Sequence, residues 1–140
     1  MPFRRVPMAL GQEQVPAPEG VYLLTVRRVT SKKSRAGSDM DVVLFAFTEH
    51  PEYSPIQYYI VYPKDDTPED QVRLRAREIR RLCFWFGVDW TEDGFNTDDL
   101  LGAEARVPVV VETFEPENGP PRDQNRIILE RVPDEEDDAR

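Results

Sequence analysis

Apolar positions recur along this chain with two different periods, and the change from one to the other marks its elements. From Gly20 to Val29, Tyr22, Leu24 and Val26 fall on one face and Val21, Leu23, Thr25 and Arg27 on the other, the period of two that defines a strand. In the second run, Met40 to Glu49, Val43, Phe45 and Phe47 alternate with Val42, Leu44 and Ala46, so this strand is apolar on both faces at its centre. His50 to Pro55 holds two prolines and breaks the run, and Ile56 to Tyr62 resumes it as a third strand. The period then becomes helical. Val72, Ala76, Ile79, Leu82, Cys83 and Phe86 form one stripe, with Thr67 placed as N-cap, Pro68 at the first helical position and Gly87 just past the end. After a linker containing Trp90 and a second cap and turn at Asn96 to Gly102, two more strands are expected, Ala105 to Phe114 and Asn125 to Val132. Pro108 lacks a ladder donor, which predicts an edge or a bulge in the fourth strand.

The order β, β, β, helix, β, β, with hairpin-length links elsewhere, is that of a mainly β, five-stranded OB-type barrel with one helix between strands three and four. A five-stranded meander on one wall of an α+β sandwich gives a similar string. The expected organisation is an N-terminal arm over 1–18, which either lies over the barrel or stays mobile, a domain over 19–132 and an acidic tail over 133–140. A chain of 140 residues suits one domain, able to bury roughly 68% of the surface its unfolded form exposes. Cys83 is the only cysteine, so no internal disulfide is available, and no apolar run approaches the roughly 18 residues of a membrane span. A cytoplasmic protein without membrane partner is the expectation.

Charge complicates any nucleic-acid reading. The formal net charge is -9, against the basic surface such proteins usually carry. Its distribution is uneven: basic residues predominate up to Arg35, and acidic ones gather in the tail, where Asp134, Glu135, Glu136, Asp137 and Asp138 are consecutive. The body stays acidic without that tail, so an anion site has to be a local basic patch.

In this order the elements resemble the phage-encoded single-stranded DNA-binding proteins and a related family of short phage replication-module domains. The resemblance covers about residues 19–138. It is carried by the Gly20-Val21-Tyr22 strand start, the turn from Ser31-Lys32-Lys33 to Gly37, and the helix end from Leu82 to Val88. Asp99-Leu100-Leu101-Gly102 before strand four and the closing stretch Asn125 to Pro133 before the acidic tail complete it. The resemblance implies an OB fold, single-stranded DNA along the face of strands one to three, and a tail that recruits replication or recombination proteins of phage or bacterium. Two features depart from the pattern: His50 to Pro55 lacks glycines, and the tail ends Asp137-Asp138-Ala139-Arg140 instead of in an apolar or aromatic tip.

Single strands are held by cations that track phosphates and by aromatic rings on which bases stack, at about 1–3 kcal/mol per base. Lys32, Lys33 and Arg35 are expected in the first hairpin loop, with Arg27 and Arg28 leading into it and Arg122 and Arg126 bordering the last hairpin. Each can equally be a solvated loop charge. Tyr58 and Tyr62 share a face with Ile56 and Ile60 and read as core, which leaves Tyr59, alternating with Gln57 and Val61, as the stacking candidate. Tyr53 and Trp90 are further platforms. The five arginines from Arg73 to Arg81 read more simply as a solvated helix face than as a phosphate site. The tail either competes for the basic groove until DNA displaces it or only solubilises.

Catalytic signals are weak. His50 is the only histidine, Cys83 lies on the apolar stripe, and Leu100 occupies the place of the bidentate glutamate in a calcium-loop reading of the segment after Asp89. No enzyme, metal or cofactor is expected. The competing function is a non-catalytic protein-interaction or virion-structural β-barrel module, in which Val42, Leu44 and Ala46 face outward as a homo-oligomer interface.

Overall fold

The computed structural model describes residues 2–11 and 13–130. Among these residues seven strands and one α-helix follow in the order β1 (Gly20–Lys33), β2 (Asp39–Phe47), β3 (Ile56–Val61), α1 (Glu69–Phe86), β4 (Trp90–Thr91), β5 (Gly94–Phe95), β6 (Glu104–Phe114) and β7 (Arg122–Ile127), with short 3-10 turns at Met8–Gly11 and Thr97–Leu100. β4 and β5 form a two-residue hairpin, and the other five strands make one antiparallel sheet in the order β3-β2-β1-β6-β7. The edge strands β3 and β7 approach each other. Among the described residues no ladder joins them and no barrel closure is seen.

Alternation along the strands decides which face is core. Leu24, Val26, Val43, Phe45, Ile56, Ile60, Val107, Val109 and Ile127 all point inward and are buried. The outward positions of β2 are only partly covered at Val42 and Leu44, whereas Ala46 is buried. The last turns of α1 close this core: Leu82, Cys83 and Phe86 are buried, and Phe86 stacks on Phe45 with centroids 5.1 Å apart. Burial pushes the Cys83 thiol up to about 11, as suits a packing residue rather than a nucleophile.

Both helix ends follow local chemistry. The helix begins one residue later than its sequence signal: Pro68 is the N-cap and makes no side-chain cap, while its carbonyl accepts from the Gln71 and Val72 amides. The Thr67 hydroxyl instead accepts from the Lys64 amide at 2.8 Å, closing the preceding turn. Gly87 ends the helix in the left-handed region at φ 68°, and the Val88 amide donates to the Cys83 carbonyl. Gly87→Ala is expected to cost about 1 kcal/mol, the penalty of that backbone for an L side chain, read as a lower urea midpoint at unchanged slope.

Several boundaries differ from the sequence expectation for identifiable reasons. β1 runs on to Lys33 because its last residues find partners on β2: Ser31 donates to Asp41 at 2.5 Å, and Lys33 pairs with Asp39. Lys32 and Lys33 therefore stand in a strand, and the turn is confined to 34–38, where Gly37 has φ 86°. A bulge sits between Val26 and Arg28. It shifts the alternation by one, so Val29 turns inward and Arg28, Thr30 and Lys32 turn outward.

Pro108 lies in neither an edge strand nor a bulge, since β6 is central. Its first half pairs with β1 and its second half with β7, and Val21 faces Pro108 in regular register. The Pro108 carbonyl accepts from the Ile128 amide, so the missing donor falls where the β7 ladder ends. β7 begins earlier than expected, at Arg122, and ends at Ile127.

Part of the arm lies on the domain. Val15 bridges to Tyr53, Ala17 is fully buried, and Asn125 holds the Ala17 amide and carbonyl at 2.8 and 2.9 Å. The tail residues Asp134, Glu135, Glu136, Asp137 and Asp138 lie outside the described residues. Among the described residues no helix is long and apolar enough to cross a membrane.

Candidate nucleic-acid interface

Beyond the bulge, three rows of side chains cross β3, β2 and β1 on the outward face. They are Gln57, Leu44 and Arg28; Tyr59, Val42 and Thr30; and Val61, Met40 and Lys32. None of these positions is acidic, in a chain whose net charge is -9. Arg28, Lys32 and Tyr59 are exposed, Tyr59 at 53%, and Val42, Leu44 and Met40 half-buried between them. The Lys32 ammonium stands 6.0 Å from the Tyr59 ring centroid, and the Tyr59 hydroxyl donates to Gln57 at 2.8 Å, which orients the ring. Cation and ring are thus adjacent on a solvent-facing sheet, the pairing a phosphate and its base require.

The other sequence candidates separate. Arg27 is exposed within the bulge and Arg35 in the turn beyond the patch. Lys33 faces the opposite side of β1 from Lys32 and is paired with Asp39. Arg126 is on the outward side of β7 but bonds Glu112 at 2.9 Å, and Arg122 lies over the Phe114 ring at 5.3 Å. Tyr53 is not a free platform. It packs edge-on against Tyr22 and Phe47, and His50 stacks over it at 5.0 Å, because the glycine-free loop folds back on the arm. Three of the helix arginines are engaged locally: Arg73 with Glu69 at 3.0 Å, Arg75 with the Tyr62 carbonyl, and Arg80 over Trp90 at 5.6 Å.

Beside the patch a cavity of about 1110 Å³ opens between the far ends of β1 and β2, the first turns of α1 and the β4–β5 hairpin. Val72, Ala76, Ile79 and Cys83 line it, so the helix stripe is shared between this space and the core, against which Ile79 and Cys83 also pack. At its wall Asp41 is only 5% exposed and accepts from Ser31 at 2.5 Å and Tyr62 at 2.6 Å. Burial, reinforced by the Asp41 carboxylate, pushes the Tyr62 hydroxyl far above its ordinary value and keeps it a donor. Sequence reasoning missed Asp41. The signal was available, since it shares the inward phase of Val43, Phe45 and Phe47, where a carboxylate is out of place.

Among the described residues no group of three or more His, Cys, Asp or Glu could hold a metal ion. No family model matches the chain, and no curated protein matches it in sequence.

Proposed function

We propose that this protein binds single-stranded DNA with little sequence preference along the outward face of β1, β2 and β3. The observation that carries the reading is the acid-free patch of Arg28, Lys32 and Tyr59 on an otherwise acidic protein. The sheet order β3-β2-β1-β6-β7, with the helix after the third strand, supports an OB-type barrel opened between β3 and β7, and in that fold strands two and three carry the ligand. A role in phage or bacterial DNA replication or recombination, with the tail recruiting partner proteins, rests on the resemblance alone.

The test is fluorescence anisotropy of a labelled oligothymidine at two salt concentrations, with the full chain and a version ending at Pro133. Binding is expected to weaken with salt with a logarithmic slope of about -0.7 for each phosphate neutralised, and the shortened chain to bind more tightly because its tail no longer competes. Absence of binding at low salt overturns the proposal.

The half-buried column Met40, Val42 and Leu44 favours a second reading, a protein-interaction module that pairs copies through this face. It predicts a concentration-dependent dimer that Val42→Asp abolishes, with no oligonucleotide binding.

A further inference from the structure

The cavity next to the patch has the features of a base pocket. It adjoins the outward face, since Lys32 and Met40 belong to both. A strand lying on the Lys32 row therefore reaches its mouth without leaving the sheet. Its walls offer aromatic surface in Tyr62, Phe95 and Trp90, the last 40% exposed with the Arg80 guanidinium held 5.6 Å from its centroid. A volume of about 1110 Å³ has room for a nucleotide.

The buried polar group sets which base fits. Each Asp41 oxygen accepts one hydroxyl, from Ser31 and from Tyr62, and a carboxylate has about four acceptor sites. What remains matches two adjacent donors. Guanine presents such a pair, N1–H and the 2-amino group, on its Watson–Crick edge. Thymine presents one donor between two carbonyls, which would face the carboxylate oxygens. Glu92 and Asp93 line the cavity as well. Together with Asp39 and Asp41 they outnumber the lining cations Lys32, Lys33 and Arg80, which disfavours phosphate there, so the backbone stays with Lys32 and a neutral base enters.

Building on the strand-binding reading, we propose that this cavity takes one unstacked guanine of the bound strand, held edge-on by Asp41 and stacked against Trp90. The protein then tolerates most sequences but prefers a strand with a guanine at one position.

The test compares labelled dT12 with the same oligomer carrying a single internal dG, by anisotropy on the full chain. The dG oligomer is expected to bind about tenfold more tightly, within the range of a good two-donor base contact. Deoxyinosine in its place, lacking the 2-amino group, is expected to lose most of that gain. Asp41→Asn and Trp90→Ala are each expected to bring the dG-to-dT ratio close to one. Trp90 is at the rim, so its variant keeps the test valid if Asp41→Asn fails to fold. Equal affinity of dG and dT oligomers for the wild-type chain overturns the pocket and leaves the strand-binding face standing. A dG gain that survives Trp90→Ala and a folded Asp41→Asn also overturns it, and no binding of either oligomer removes both readings.

Discussion

Phe45→Ala is expected to lower the unfolding free energy by about 3–5 kcal/mol, the range for removing a buried aromatic ring from a core that relaxes only partly. Phe45 is fully buried on β2 and is where sheet and helix meet. It stacks on Phe86 at 5.1 Å and meets Tyr58 edge-on at 6.2 Å. Removing the ring leaves Phe86 without its partner and weakens the attachment of the last turns of α1. Against a total stability of about 5–15 kcal/mol for domains of this kind, such a loss puts the variant near its unfolding midpoint under mild denaturant. Urea titration followed by far-ultraviolet circular dichroism measures it. A loss below about 1 kcal/mol, the scale of ordinary surface changes, would mean that helix and sheet are not held together through this ring.

Tyr59→Ala and Lys32→Ala are expected to separate the two parts of strand binding. Tyr59 supplies an exposed ring, so its loss should weaken oligothymidine binding by about 1–3 kcal/mol, roughly five- to 150-fold, with an unchanged salt slope. Lys32 supplies charge, so its loss should reduce the slope by about 0.7 as well as the affinity at low salt. Arg28→Ala should behave like Lys32→Ala. Arg126→Ala should weaken binding less, because its guanidinium already answers Glu112 at 2.9 Å. All four residues are exposed, and their variants should unfold within about 0.5 kcal/mol of wild type, so a binding defect is not a folding defect. Salt slopes identical to wild type in both Lys32→Ala and Arg28→Ala would remove phosphate tracking from this face.

Legibility in the sequence depended on how local each determinant was. The helix was readable because its stripe, acidic first turn and terminal glycine lie within about twenty consecutive residues, and Gly87 adopts the left-handed conformation its position implied. The strand cores were readable from their period of two. The end of β1 was not, because Ser31, Lys32 and Lys33 have turn composition and become strand only through Asp39, Met40 and Asp41 on the neighbouring chain segment. Pro108 misled for a related reason. Whether its missing donor matters depends on where β7 stops, which no property of β6 records.

The candidate site divides the same way. That Tyr59 would meet solvent and Tyr58 and Tyr62 turn inward followed from their phase in β3 and the residue after it, and Tyr59 is exposed while Tyr58 and Tyr62 pack against the core. Which cations accompany Tyr59 was a matter of register: the bulge at Arg27 turns Arg28 and Lys32 outward together, while Lys33, one residue on, goes to Asp39. By itself the sequence determined the helix, the inward phase of the strands up to the bulge in β1, the order of the five sheet strands around the helix and the packing role of Cys83, since each depends on neighbours a few positions away, whereas the β4–β5 hairpin stood in what reads as a linker. Only the tertiary structure decided the acid-free rows across β1 to β3, the enclosure of Tyr53 and the cavity around Asp41. These depend on pairings between segments distant in the chain, where one residue of register exchanges the face that meets solvent for the face that meets the core.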